Sequence, residues 1–424
     1  MLKKTLLVLS FPVLIYAHTL TELFDALKEH SQTKSDEMVI KKAEIAGSQA
    51  TSKLYPSINL FGAYDNYNTP TGLLPVVPNE MSKMLKNQNI AQPFSENIYR
   101  AGANFTMPIF VKSIFTYAKK AKEMQKSAKA RKHINLLKNE ALIVGTNAQL
   151  KYLSELGKSL DIKEKSLLET QKTLKIKVDN GRSPASSLYK IDDSLNQINI
   201  AKNNIALQKN KMISSIESIT GIRLDTPINI EQRMSYSKNN LASLKPLQEK
   251  IVANKLSIKA QKEKLYPSLV AHGSYVFSKA KAYNNNKDVN EEYGNIGIVL
   301  NIPLLQMSQY DEIKKSKLEV KSDEIELQKL TDELKARASM LENSLGLYDN
   351  SIKLLQKSVK NKTKLLEIAK LNYKNARLST EEYLRYEDEV VDAKAKLYQT
   401  KAQKWQALME LAVIYANNIE EMVR

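Results

Sequence analysis

Cysteine is absent from the 424 residues of this chain, and glycine and proline are scarce, with 12 of each. Without cysteine the chain can form no disulfide bond and no thiolate metal site, and it has no cysteine nucleophile. So few glycines and prolines exclude a collagen-like or loop-dominated architecture. Very long helices are favoured instead, because the two residues that most readily interrupt a helix are rare.

The N-terminus predicts export. A basic start with Lys3 and Lys4 precedes the apolar run Thr5–Ala17, which is too short to span a bilayer as a helix. We interpret residues 1–17 as a signal peptide cut after Ala17; a buried N-terminal helix is the alternative. The formal net charge of +18 then indicates lysine-rich solvated helices, because an exported chain has little access to nucleic acid.

The proline positions leave two long uninterrupted stretches. No proline lies between Val111 and Asp179, and none follows Pro303. Helices of about 65–70 residues fit there and would measure about 100 Å. Apolar residues recur at the spacing of a coiled coil. The series are Leu384, Val391, Tyr398, Trp405 and Ala412; Ala395, Ala402, Met409 and Ala416; and, upstream, Ile134, Leu137, Ala141, Val144 and Ala148.

The two halves of the chain repeat each other. The motif KLYPS at residues 53–57 returns at 264–268, and NGR at 180–182 is matched by NAR at 375–377. Self-similarity at nearly constant spacing is typical of a duplicated structural unit. We therefore predict two structural repeats, each with a helix, a pair of strands and a long helical hairpin.

The predicted boundaries follow from these motifs. The first repeat spans 18–221, with strands at about 57–67 and 98–108 and a hairpin at 111–221. A linker or equatorial segment covers 222–245. The second repeat spans 246–424, with strands at about 268–278 and 293–303 and a hairpin at 304–416. Pro108 and Pro303 are expected to end their strands, since proline lacks a backbone N–H.

The strands alternate apolar and polar residues, so one face of the sheet is apolar. Strands of about ten residues with this pattern fit a transmembrane barrel in an exported chain, and a soluble sheet fits the alternation equally well. In a barrel we expect Tyr99, Ala103, Phe105, Ile298 and Leu300 to face lipid. We expect Asn104, Thr106 and Asn301 to face the lumen.

The order, spacing and duplication of these motifs resemble the TolC-like outer-membrane efflux protein family. The resemblance covers the chain from Leu20 to about Ala416. It implies an α+β, mainly α fold: a trimeric outer-membrane β-barrel with four strands per chain, continued by a long antiparallel coiled-coil α-helical barrel in the periplasm. Four strands cannot close a barrel, since outer-membrane barrels need at least about eight, and this independently favours an oligomer.

The resemblance implies a passive exit duct in the outer membrane of a Gram-negative bacterium, serving a tripartite efflux or type I secretion system. The implied partners are a homotrimer, a periplasmic adaptor, an inner-membrane transporter of RND or ABC type and outer-membrane lipid, without nucleic acid. The alternative is a periplasmic coiled-coil adaptor or scaffold protein without a pore. The sequence does not distinguish between drugs, metal ions and secreted proteins as cargo.

The resemblance also implies roles for both turns of the hairpins. The adaptor-docking residues are Asn180, Gly181, Arg182, Ser183, Asn375, Ala376 and Arg377. The periplasmic entrance constriction aligns with Glu382 and Arg385, where the family has two acidic residues, so a strongly cation-attracting entrance is not expected. Helix capping by Ser183 or Ser379 and ordinary solvation of Glu382 and Arg385 are the structural alternatives.

Nothing in the sequence predicts catalysis, a cofactor or a resident metal. The four histidines are scattered, with no HExxH motif. No GxGxxG, phosphate loop or GxSxG motif is present. We therefore expect a protein that is not an enzyme.

Overall fold

The computed structural model of the protein describes residues 18–87, 89–238 and 240–423. The predicted signal peptide, residues 1–17, lies outside the described residues. The helices are α1 (Leu20–Glu29), α2 (Ser31–Ser52), α3 (Pro78–Lys86), α4 (Lys112–Asp179), α5 (Ala185–Thr220), α6 (Lys245–Glu263), α7 (Met307–Lys374), α8 (Thr380–Tyr415) and α9 (Ile419–Met422). The strands are β1 (Ser57–Gly72), β2 (Phe94–Phe110), β3 (Ser268–Lys281) and β4 (Asp288–Asn301).

The long helices occur in two pairs of matching length. α4 and α7 each contain 68 residues, and α5 and α8 each contain 36. Both matches lie at the spacing of 195 residues that separates the NGR and NAR motifs. The long helices predicted from the proline positions are therefore confirmed. α5 ends where Gly221 adopts a φ of 72°, which glycine tolerates because it has no Cβ.

One compact unit is helical and comprises the described residues of Met1–Val39, Lys129–Pro246 and Gln328–Arg424. One of its apolar clusters joins α4 to α5 through residues spaced by seven. The buried members are Leu153, Leu160, Leu167 and Leu174 on α4 and Ile191, Ile198 and Ile205 on α5. Spacing by seven keeps one face of each helix against its neighbour.

The predicted apolar series on α8 contribute to the core of this unit to different extents. Ala402, Met409 and Ala412 are buried, whereas Leu384, Val391 and Trp405 are partly buried against the neighbouring clusters. Leu23 and Leu27 of α1 are fully buried in the same cluster as Met409. The only tryptophan of the chain is thus a packing residue at the edge of the core.

The other compact unit comprises the described residues of Ile40–Ala128 and Leu247–Leu327 and contains the sheet. Its four antiparallel strands lie in the order β1-β2-β3-β4, so β1 and β4 are the outer strands. The register places Leu60 opposite Ala103, Ala103 opposite Tyr275, and Ala271 opposite Ile298. Because side chains alternate along each strand, this register fixes the composition of both faces.

The strands are longer than predicted, with 14 to 17 residues instead of about ten. β1 continues beyond Asn66 through an irregularity in which residues 67–70 face the single residue Glu96. Pro70 lies in this irregularity of an outer strand, where its missing N–H disrupts little of the hydrogen-bond ladder. Residues 68–97, which lie between the two predicted strands of the first repeat, therefore begin as strand.

The expectation that Pro108 ends β2 is wrong. β2 continues to Phe110, with Pro108 opposite Val270 and a register shift directly after it. Such an irregularity accommodates a residue that cannot donate to the ladder. Pro303 does lie beyond its strand, because β4 ends at Asn301.

Candidate functional site

The turn between α4 and α5 closes the C-terminus of α4 with two backbone hydrogen bonds. The amide of Arg182 donates to the carbonyl of Lys177 at 2.7 Å, and the amide of Gly181 donates to the carbonyl of Val178 at 2.9 Å. Gly181 has a φ of 67°, the left-handed conformation that this turn requires and that glycine adopts without strain. The NGR motif therefore forms the turn that its glycine predicts.

The turn between α7 and α8 repeats this geometry. The amide of Arg377 donates to the carbonyl of Asn372 at 2.9 Å, and that of Ala376 donates to the carbonyl of Tyr373 at 3.1 Å. Ala376 has a φ of 56°, which costs a residue with a Cβ about 1–2 kcal/mol. The departure from glycine at Ala376 thus leaves the turn unchanged in shape.

Arg182 and Arg377 occupy equivalent places directly after the left-handed residues. Both side chains are exposed, as are Asn180 and Asn375. The ion pairs of the described residues near these turns, Lys190 with Glu381 and Lys370 with Glu169, include neither guanidinium group. Both arginines are therefore available to a binding partner.

Ser379 and Glu382 form a capping box at the start of α8. The amide of Glu382 donates to Oγ of Ser379 at 3.2 Å, while Oε2 of Glu382 accepts from the amide and Oγ of Ser379 at 3.0 and 2.9 Å. These bonds, followed by the charge of Arg385, lower the pKa of Glu382. Capping by Ser379 is confirmed, whereas α5 has Pro184 at its N-cap and no side-chain cap from Ser183.

Arg385 is exposed one helical turn after Glu382. Its Nε lies 4.0 Å from a carboxylate oxygen of Glu389, and its guanidinium lies 5.7 Å from the ring centre of Tyr386. Within the chain, the strongest contacts of Glu382 are thus with Ser379, and those of Arg385 are with Glu389 and Tyr386, and not with each other. Both side chains are exposed, and residues three apart share a helix face.

A groove of about 870 Å³ lies between the N-terminal parts of α5 and α8. Lys190 of α5 donates to Glu381 of α8 at 2.8 Å across it, and this bond lowers the pKa of Glu381. The charged residues that line it are Lys190, Asp193, Glu381, Glu382, Arg385 and Asp388. Carboxylates outnumber cations in this set, so the groove is locally acidic in a basic chain.

Sequence reasoning missed Tyr383, which is fully buried beside this groove. Its ring stacks on that of Tyr373, with centres 4.8 Å apart, and its hydroxyl donates to Glu387 at 2.5 Å. Oγ of Ser166 lies 2.7 Å from the hydroxyl of Tyr383 and donates to the same Glu387 oxygen at 2.7 Å. The recurrence of Tyr383, Val390 and Leu397 every seventh residue was a signal of this burial.

In the sheet unit, the predicted lipid-facing residues share one face. Tyr99, Ala103 and Phe105 of β2 align through Ala271 and Tyr275 of β3 with the face of β4 that carries Ile298 and Leu300. Tyr99, Ile298 and Leu300 are 59%, 67% and 56% exposed. The residues predicted to face the lumen, Asn104, Thr106 and Asn301, lie on the opposite face.

Two features are absent from the part of the chain that the structure describes. No helix among the described residues is long and apolar enough to cross a membrane. No group of three or more histidine, cysteine, aspartate or glutamate residues among them could hold a metal ion.

Comparison with known proteins identifies the fold. No protein-family model and no curated protein sequence matches the chain. The CmeC outer membrane channel of Campylobacter jejuni matches with a TM-score of 0.76 and 15% identity, over 93% of this chain and 85% of that chain. The outer membrane protein VceC of Vibrio cholerae matches with a TM-score of 0.71 and 13% identity, over 93% and 96%. The open state of the MtrE outer membrane channel of Neisseria gonorrhoeae matches with a TM-score of 0.69 and 12% identity, over 93% and 88%.

Identities this low establish the fold alone. The chain has the fold of the TolC-like outer-membrane channels, and the resemblance expected from its sequence is confirmed at that level.

Proposed function

We propose that the chain is the outer-membrane channel component of a tripartite efflux or type I secretion system in a Gram-negative bacterium. The observation that carries this proposal is the fold match over 93% of the chain to three outer-membrane proteins or channels. The names of these structures describe channels and membrane proteins, not enzymes, which favours passive transport. The chain would act as a duct and leave energy supply to its partners.

A homotrimer is the assembly that the sheet supports best. β1 and β4 each pair on one side only, and an unpaired edge in lipid leaves backbone groups without partners. Three copies would contribute twelve strands to one closed barrel, above the minimum of about eight. Closure would also turn the apolar face of the sheet toward lipid.

The helical unit gives separate support for neighbouring copies. Met340, Leu347 and Leu354 of α7 recur every seventh residue and are 47%, 67% and 66% exposed. A stripe of this kind on a helix is the pattern of a seam that packs against another helix. In the proposed trimer, a neighbouring chain covers it.

The proposed partners at the periplasmic end are an adaptor and an inner-membrane transporter of RND or ABC type. The two turns supply exposed arginines, Arg182 and Arg377, in nearly identical backbone geometry. Their duplication, with the equal lengths of the flanking helices, supports two structural repeats that each present one docking turn to the adaptor.

Glu382 and Arg385 are the proposed constriction at the entrance. Both are exposed at the start of α8, so each can meet a neighbouring chain in a trimer. An exposed ion pair contributes only about 0.2–1 kcal/mol. Threefold repetition makes such pairs relevant to gating while they remain minor for folding.

Fractionation followed by electrical recording tests the function. The chain should co-sediment with the outer membrane, and the purified protein should form ion-conducting channels in planar bilayers. Recovery as a soluble periplasmic protein without channel activity would favour the alternative, an adaptor or scaffold without a pore. Sensitivity of a deletion strain to dyes, bile salts, antibiotics and metals would then identify the class of cargo.

A further inference from the structure

One face of the sheet is covered at the end where the hairpin connections lie. Ile98 of β2, Ala280 of β3 and Val289 of β4 form one row across the strands and are 0%, 5% and 6% exposed. Ser278, in the next row, is fully buried. These residues lie on the face that carries Asn104 and Asn301, the face proposed to line the lumen.

The cover is the connection between β1 and β2, of which the structure describes residues 73–87 and 89–93; we call these residues the outer cap. Leu73 is 1% exposed and packs into the cluster of Ile98, Ala280 and Val289. Its carbonyl accepts a hydrogen bond from Oγ of Ser278 at 3.1 Å. Leu74 and Ala91 of the outer cap pack against the same cluster.

Arg100 fixes the point where the outer cap leaves the sheet. Its guanidinium pairs with Asp65, donates to the hydroxyl of Tyr67 at 3.1 Å and donates to the carbonyl of Gly72 at 3.3 Å. Gly72 is the last residue of β1, directly before Leu73. The direction in which the outer cap departs is therefore set by several bonds from one side chain.

The turn between β3 and β4 holds the other end of the outer cap. The amide of Gln92 donates to Oδ1 of Asn284 at 3.1 Å, and Nδ2 of Asn284 donates to the carbonyl of Ile90 at 2.8 Å. The amide of Tyr283 donates to the carbonyl of Phe94 at 2.8 Å. The outer cap is thus anchored at its beginning and at its end over the same face.

We propose that the outer cap narrows the external mouth of the duct and sets the size limit for solutes in the open channel. This inference rests on the proposed function, because it takes the covered face to be the lumen. In a closed barrel, a segment packed on the inner face occupies lumen that the strands alone would leave open. Three copies would converge from three sides.

Single-channel recording of the full-length protein tests the inference. Replacing residues 78–86 of the outer cap by a short Gly-Ser linker should raise the conductance about twofold or more, because the narrowest part of a pore limits current. The recordings are made in wild type and in the Arg385→Ala background, so that the periplasmic entrance does not mask the effect. Liposome swelling should show that the linker variant admits larger sugars than the wild-type protein does.

A pair of substitutions within the outer cap gives a matched control that keeps the chain length. Leu73→Asp places a charge in the buried cluster and should release the outer cap and raise conductance, whereas Val77→Asp changes a residue that is 55% exposed and should not. Unchanged conductance in both the linker variant and Leu73→Asp overturns the size-limiting role while the duct itself stands. Equal effects of Leu73→Asp and Val77→Asp also overturn it. A wild-type protein that carries no current overturns the proposed duct.

Discussion

The hydroxyl of Tyr383 donates a 2.5 Å hydrogen bond to Glu387, which lies one helical turn further along α8 and is also buried. Burial, and then this bond, raise the pKa of Tyr383, so the phenol remains a donor across the physiological range. Ser166 of α4 supplies a second donor to the same carboxylate oxygen. The buried carboxylate therefore ties α8 to α4 close to the proposed entrance.

Tyr383→Phe should destabilise the helical unit. Removing a hydrogen bond to a buried charged group costs about 1.5–3 kcal/mol. Denaturant unfolding, followed by the fluorescence of Trp405, should show this loss. Tyr189→Phe is the matched control because its side chain is 71% exposed, and it should change stability by less than about 0.5 kcal/mol. Equal midpoints for both variants would show that the Tyr383 bond adds nothing.

The two sheet faces should differ in their access to water. The chain has no cysteine, so single cysteines can be introduced and labelled without a background reaction from native thiols. Cysteines at positions 104 and 106 should react with aqueous thiol reagents in the assembled channel, while those at 103 and 105 should resist. Ile298→Arg should cost about 2–4 kcal/mol if this site is in mid-membrane. The reverse reactivity pattern would refute the assignment of the faces.

Charge reversal at both turns should abolish export. Arg182→Glu combined with Arg377→Glu leaves the backbone turn intact, because the hydrogen bonds there come from main-chain amides. The level of trimer in the outer membrane should stay unchanged. Arg131→Glu, an exposed reversal elsewhere on α4, serves as the control. Normal export by the double variant would exclude these arginines from docking.

Two substitutions of Glu382 separate its role in the helix cap from its proposed role in the gate. Glu382→Gln removes the charge while glutamine still serves the capping box, whereas Glu382→Ala also loses a cap interaction. In planar bilayers, Glu382→Gln and Arg385→Ala should each raise conductance or change ion selectivity. If only Glu382→Ala has an effect, the residue acts through the helix cap, and the gate lies elsewhere.

Stability of the helical unit should decline between mildly acidic and neutral pH. Glu140 of α4 is 3% exposed, and burial, reinforced by the charge of Glu420, raises its pKa from 4.5 to about 7. Between these values the unfolded chain binds fewer protons than the folded chain, so the free energy of unfolding falls as pH rises. At 1.36 kcal/mol per pKa unit the full loss is about 3 kcal/mol.

Glu140→Gln should remove this decline and raise the free energy of unfolding at pH 8. The neutral amide avoids the cost of a buried charge at every pH. Unfolding curves at several pH values measure the effect, with Glu231→Gln as an exposed control. A wild-type stability that does not fall between pH 5 and pH 7 would contradict the assigned pKa.

The sequence predicted the helices better than the strands, for a physical reason. Proline inside a helix removes a hydrogen bond and clashes with the preceding turn, so the stretch between Val111 and Asp179 predicted α4 to within one residue. Proline is less decisive in a sheet. Pro70 and Pro108 both lie inside strands, because an outer strand and a register shift tolerate the missing donor.

The site was predictable where it depended on neighbouring residues. The NGR and NAR motifs identified both turns, and capping by Ser379 was one of the alternatives that the sequence left open. The contact between Ser166 and Tyr383 was not predictable, since these residues are 217 positions apart and meet only through helix packing. The outer cap was missed for the same reason, because its anchor pairs Leu73 with Ser278.

The irregularity in β1 determines where residues can be inserted or deleted without shifting the register of the strand. Residues 57–66 are held in register by their pairs on β2, and residues 67–70 lie outside that ladder. Inserted or deleted residues at 68–70, directly after the Tyr67 that binds Arg100, would therefore leave the inward and outward alternation of residues 57–66 undisturbed. This makes the segment a natural point for variation between relatives and a suitable place to insert a short epitope tag.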